Sequence, residues 1–455
     1  MSFRLLLAIC LLVGTCGRAP LFAQQAAATP ADYAAVLDQA FPADGPGATA
    51  IVVKDGKTVY HAGHGMASLE LDVKMQPDHV LRIGSITKQF TAMAVLKLME
   101  AGQLSLDDPL SKFLPDYPNG DNITVTQLLN HTSGIRSYTG MEKWNDETRR
   151  RDFTVAELVD FFKDEPADFA PGEQWAYNNS GYILLGAIIE EVTGEGYAAY
   201  LEKTFFGPLG MDQTYYDYTL KIIPKRVPGY TPGILGQQNT PYLSMTQPYA
   251  AGSLLSTVGD LSKWYHSLAD GKVVRPETFK LAISPAIMND GNTRDYGFGL
   301  FFGEDGESSY FGHAGGVNGF VTDSRYYPED KLFVAVFTNS NNNSPTEPML
   351  MLAQLALGKV DMAQATRVFS PQQIAALSGD YELAEGFIIT IRENNGRLEA
   401  QATGQGAFLL DATAEDDVFT KTAYGIKIVF KRDATGKVTG LTLDQGGERN
   451  APKIK

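Results

Sequence analysis

Arg82-Ile83-Gly84-Ser85-Ile86-Thr87-Lys88-Gln89-Phe90 joins a Ser-x-x-Lys element to an apolar run that reaches Glu100 and stops at Gly102. The spacing predicts a helix opened by Ser85, with Ile86, Phe90, Met93, Ala94, Leu96 and Leu98 placed for burial on most sides. Positions i and i+3 share a helix face, so the Lys88 amine comes within reach of the Ser85 hydroxyl. A helix N-terminus aims partial positive charge at the serine, and the same field disfavours an extra proton on Lys88. A serine beside a neutral amine is equipped for acyl transfer. A Ser-x-x-Lys element arises about once by composition alone in a chain of this size, so it needs company.

Two further constellations supply it. Tyr177-Asn178-Asn179 lies in a loop just before an apolar helix predicted over 180–192 and closed by Thr193-Gly194. A phenol between a serine and an amine relays a proton, and a nearby amide grips a carbonyl; the alternative is a simple helix cap. Gly312-His313-Ala314-Gly315-Gly316 precedes a strand-like segment. Its glycines let a ligand approach backbone N–H groups, as an oxyanion site requires, unless they form only a turn. Tyr117-Pro118-Asn119 and His61-Ala62-Gly63 repeat the second and third patterns. The first sits in a proline-bounded loop and reads as a turn; the second ends a hairpin and reads as structural.

Outward from these motifs, Tyr33 to Ala40 reads as a short helix. Asp55-Gly56 reads as the tight turn of a hairpin pairing 48–53 with 57–60. Thr257 with Asp260 marks a helix start, and 296–302, 319–326 and 332–338 are strand-like. Helices between strands at both ends of this region indicate an α/β (α+β) domain over 32–357. A linker is expected over 358–370. From 371 to 455 short alternating segments without a convincing helix indicate a small all-β barrel or sandwich.

The length accommodates two or three domains. With 44% hydrophobic and 20% charged residues the chain reads as globular rather than disordered. Arg4, the apolar run from Leu5 to Val13, and Pro20-Leu21-Phe22-Ala23 read as a signal peptide over 1–23. That implies export to a periplasmic or extracellular location. The run is too short for a stable membrane span. Both cysteines, Cys10 and Cys16, fall inside the leader; Cys16 as a lipidation site has a poor flanking pattern. Cleavage would move the net charge from −15 to −17, since Arg4 and Arg18 leave with no acid. So acidic a chain is not expected to bind nucleic acid. With six histidines and no mature cysteine, neither a metal site nor another cofactor is expected; His61 and His64 fall on a strand end. No serine lies in a G-x-S-x-G elbow.

Ser-x-x-Lys at 85–88, Tyr-x-Asn at 177–179 and His-x-Gly at 313–315, in that order, resemble class C β-lactamases, D-Ala-D-Ala carboxypeptidases, D-aminopeptidases and family VIII esterases. Leu128-Leu129-Asn130-His131-Thr132-Ser133-Gly134 and Ala251-Gly252-Ser253-Leu254-Leu255-Ser256-Thr257 extend the likeness. The tail resembles the lipocalin-like barrel appended to some members. The resemblance implies a β-lactamase/transpeptidase-like fold, an antiparallel sheet flanked by helices with a helical subdomain. It implies Ser85 as nucleophile, Lys88 as its proton acceptor and Tyr177 as proton shuttle. Asn179, His313, Gly315 and Gly316 would contact substrate, and the backbone N–H groups of Ser85 and Gly316 would form the oxyanion hole. His313 departs from the Lys-Thr-Gly of β-lactamases, and histidine is mostly neutral near pH 7, which favours D-amino-acid peptides or esters over β-lactams. β-Lactam hydrolysis, a catalytically silent binding module and a main role for the barrel are the alternatives. His131 is read as bracing the loop between helices. Substrate identity and oligomeric state have no signature in the chain.

Overall fold

The computed structural model describes residues 28–455 apart from 235, 361–368, 395, 414 and 422–425. The expected leader and most of the expected linker lie outside the described residues.

Two apolar strands decide the architecture. Ala48–Lys54 pairs antiparallel with Leu332–Thr338, and both are buried along nearly their whole length. Strands covered on both faces read as continuous hydrophobic runs rather than alternating ones. Their alternate side chains serve two cores. Ala50, Val52, Val334 and Val336 face the helices Pro30–Ala40 and Thr346–Ala356. Ile51, Val53, Phe333, Ala335 and Phe337 face Thr87–Glu100 and Val258–Ala269, where Phe90 stacks on Trp264 at 4.1 Å. Burying each such large side chain contributes roughly 1.5–3 kcal/mol. The sheet runs 301–305, 308–312, 320–327, 332–338, 48–54, 57–64, with Gly315–Val317 paired beside 320–327.

The hairpin turn at Asp55 and Gly56 takes the positive φ values expected of it, 51° and 70°. Helices form over Pro30–Ala40 and Asn179–Thr193, and Thr257 accepts the Asp260 N–H as an N-cap. Three readings need correction. Ser85 does not open the α-helix: it sits in a 3₁₀ turn, Gly84–Ile86, and the helix begins at Thr87. The strand expected over 296–302 starts only at Phe301, because Gly299 (φ +70°) turns the chain against the Lys88 backbone. Residues 371–377 form a helix, started by a Ser370–Gln373 capping box with Pro371 in the first turn. Beyond it the expected all-β region follows, its strands pairing among the described residues as a four-stranded and a five-stranded antiparallel sheet. They meet through the Tyr381–Lys453 bridge, and Glu448–Pro452, too polar to stand out as a strand, is the last of them.

Candidate active site

Three elements converge on Ser85. The short strand Leu81–Arg82 pairs with Leu254–Ser256 and delivers the 84–86 turn. Gly84 adopts φ +50°, and a Cβ there would lie 2.7 Å from Gly316 N. A Cβ on Gly315 would run into the Ile83 carbonyl. Absent side chains thus let the Gly315–Val317 strand press against the serine turn, bringing the Gly316 backbone beside Ser85. Gly315 is buried by that packing, whereas Gly316 is exposed with open space where its Cβ would be.

The Lys88 amine is fully buried, 3.2 Å from Ser85 Oγ, 2.8 Å from Asn179 Oδ1 and 2.9 Å from the Ala251 carbonyl. It makes no ion pair with a carboxylate among the described residues. Burial therefore holds its pKa well below the ordinary lysine value. The rings of Tyr177 and Tyr182 flank it, with centroids at 4.7 Å and 5.4 Å. Asn178 caps the helix by accepting the Gly181 N–H, so the helix-cap reading belongs to Asn178 and leaves its neighbours free. Asn179 is spoken for on both sides: Oδ1 accepts from Lys88 and Nδ2 donates to Thr139 Oγ1 at 3.1 Å. Tyr177 Oη is buried and closes no hydrogen bond of ordinary geometry among the described residues. Burial raises its pKa, a trend the nearby Ser85 hydroxyl opposes.

His313 is buried, its ring 6.0 Å from that of Tyr177, with Nε2 3.3 Å from Tyr296 Oη. Burial first, then the Lys88 charge, pull its pKa down to about 3. It is therefore neutral across the physiological range, as its place in the motif suggests, and offers no fixed cation. His131 accepts the Asn178 backbone N–H through Nδ1 at 3.2 Å, and its ring lies 4.5 Å from Tyr177. It braces the Tyr-x-Asn loop from behind.

Sequence reasoning missed Tyr296, whose ring packs on His131, Tyr177 and His313 at 4.6, 6.2 and 5.8 Å. Its only sequence signal is the pair of glycines after it, 297 and 299, which break a strand-like run and fold the chain back. The decoy motifs go elsewhere. Asn119 takes a left-handed φ of 57° in its turn and accepts from Asn122 Nδ2. His64 bonds Asp38 and Tyr60, while His61 meets the Pro77 carbonyl. The arrangement places a hydroxyl, an amine whose protonation burial disfavours and a buried phenol together against an exposed glycine backbone, the parts list for acyl transfer.

Known proteins share the architecture. Residues 35–358 match the Beta-lactamase family, and residues 365–452 match a domain of unknown function, DUF3471. Penicillin-binding protein 4* of Bacillus subtilis (strain 168) is 26% identical over 431 residues, covering 90% of this chain and 95% of that one. The octameric penicillin-binding protein homologue of Pyrococcus abyssi superposes with a TM-score of 0.64 at 29% identity, over 89% and 96% of the two chains. A D-stereospecific amidohydrolase of Streptomyces sp. gives 0.62 at 28%, over 71% of this chain and 98% of its own. Among the described residues no helix is long and apolar enough to cross a membrane. With more than two-thirds of its length inside the family match, the chain belongs to the beta-lactamase family and is a serine hydrolase related to penicillin-binding proteins.

Proposed function

We propose that the protein is an exported hydrolase that cleaves D-amino-acid peptides or esters through an acyl-enzyme on Ser85. The observation that carries this reading is the buried Lys88 amine, free of any carboxylate and bonded to Ser85 Oγ. Ser85 Oγ attacks the substrate carbonyl and passes its proton to Lys88 Nζ. The developing oxyanion lies against the N–H groups of Ser85 and Gly316. Tyr177 carries the proton on to the departing amine or alkoxide as the C–N or C–O bond breaks. Water then attacks the acyl ester, yields its proton to the same groups, and releases the acid while restoring Ser85. Neutral His313 supports a substrate other than a β-lactam, because no fixed cation stands at that position to hold the drug's carboxylate. The D-stereospecific amidohydrolase among the relatives supports the same choice. Export rests on the leader expected over 1–23, and the division at 358–370 on the change of sequence character there.

The direct test is intact-mass analysis after fluorophosphonate treatment. The wild type is expected to gain one adduct and Ser85→Ala none. Absence of any adduct on folded wild-type protein would overturn the reading. A slowly clearing penicillin adduct would argue for a peptidase, and rapid penicillin turnover would replace the proposal with β-lactam hydrolysis.

A second expectation concerns the oxyanion site. Gly84→Ala places a Cβ 2.7 Å from Gly316 N and forces an alanine into φ +50°. The backbone strain costs about 1–2 kcal/mol. Displacing one donor lowers kcat by on the order of 10²- to 10³-fold. Steady-state kinetics together with a melting curve separate the two effects.

A further inference from the structure

We propose that the cleft formed by Arg82 and Arg226 is a carboxylate-binding subsite, so that the preferred substrate carries a free carboxylate beyond the carbonyl attacked. This rests on the hydrolase reading above and names the class of substrate for it.

At the reacting centre burial works against positive charge on both Lys88 and His313. Positive charge appears one hairpin turn away. Gly316 abuts the serine turn, and Val317 pairs with Phe320 across the turn. Phe320 in turn lines a cleft of about 250 Å³ with Arg82, Arg226, Gly229, Thr240 and Tyr242. The cleft thus opens one cross-strand pair beyond the glycine that abuts the serine turn.

The charge balance inside the cleft is uneven. Arg82 Nε donates to Asp217 Oδ2 at 2.8 Å, and Arg226 Nη1 donates to Asp217 Oδ1 at 2.9 Å. Asp217 is almost wholly buried, with 1% of its side chain exposed, while the two arginines keep 20% and 35%. Two cations thus share one carboxylate. Each guanidinium has five N–H donors and spends one on Asp217. The buried carboxylate fixes both forks, so a ligand meets donors that are already ordered. Of the acids around the cleft, Glu70 is turned to Tyr230 Oη and Asn239 Nδ2, Asp78 is paired with Lys225, and Asp152 accepts from Ser244 Oγ. At the lip, the Arg150 guanidinium lies 5.9 Å from the Tyr242 ring. In a chain of net charge −15 this groups three arginines around a cleft whose Arg82 lies three residues before the nucleophile.

The test compares p-nitrophenyl butyrate with the mono-p-nitrophenyl esters of glutaric and adipic acid, on wild type, Arg226→Gln and Arg226→Lys. Melting temperature and fluorophosphonate labelling at Ser85 are measured alongside. Wild type is expected to favour a carboxylate-bearing ester by about tenfold or more in kcat/KM, a preference that shrinks in high salt. Arg226→Gln should lose most of that preference while its rate on the butyrate ester and its labelling stay within about twofold; Arg226→Lys should retain part of it. Equal loss on all three esters would assign the arginines to scaffolding alone and overturn the proposal. So would a wild type that labels and turns over but does not discriminate. A wild type that neither labels nor turns over would overturn the hydrolase reading itself, a result distinguishable from the other two.

Discussion

Lys88→Met is expected to lower kcat/KM by on the order of 10⁴-fold, about 5.5 kcal/mol in the barrier, while leaving the protein folded. Methionine fills the buried volume but cannot take the Ser85 proton. For stability two opposed effects apply. The Ala251 carbonyl and Asn179 Oδ1 lose their donor, at about 1–3 kcal/mol for each buried group left unmade. Against that, the variant no longer buries a lysine amine whose charged form the interior disfavours. Because burial lowers the Lys88 pKa, the unfolded chain binds a proton that the folded chain releases, in the interval between the two values. In that interval this group's contribution to stability improves as pH rises, and Lys88→Met removes the dependence. The catalytic requirement points the same way. The amine must be unprotonated to act, so wild-type kcat/KM should fall as pH drops below its lowered pKa. Parallel pH–rate profiles and melting curves check both statements.

Tyr177→Phe is expected to cost about 10²- to 10⁴-fold in kcat, the range for a lost proton-transfer group. The effect should depend on the leaving group. Tyr177 Oη is buried and closes no hydrogen bond of ordinary geometry among the described residues, with the Ser85 hydroxyl near it, so deleting it should change the melting temperature little. A phenolate leaving group needs no proton, and an amine does. The loss should therefore be large for amide or peptide substrates and small for p-nitrophenyl esters. An equal loss on both would move Tyr177 from proton transfer to positioning.

The parts of this site that were legible in the sequence share a cause. Ser85 and Lys88 are set by helix spacing, and Asn178 by the preference for asparagine at a helix start, so local geometry alone brings them into view. Tyr296 was not legible, because a tyrosine joins the site only once Gly299 folds its segment back onto the Lys88 backbone, a contact between distant parts of the chain. The cleft at Arg82 was hidden similarly: Arg82, Asp217 and Arg226 meet only through tertiary structure. In the tail, the capping pattern at Ser370 to Gln373 was readable but overshadowed by the alternating segments after it. Glu448–Pro452 carries almost no apolar signal because only Ala451 points inward.

The central ladder also has a temporal meaning. Gly47 donates to Asn339 across a separation of 292 residues, at the edge of the pairing between the first and last strands of the hydrolase domain. Closing such a loop costs roughly 3 kcal/mol more than closing a 12-residue hairpin, a cost met before the ladder returns anything. The sheet cannot be completed until the stretch through Thr338 has left the ribosome. Until then the buried faces of Ala48–Lys54 have no partner, and the chain remains open to aggregation or to a chaperone. A nick at an exposed turn inside the loop, such as Asp290-Gly291, should leave the finished fold intact yet make its refolding bimolecular, and therefore dependent on concentration.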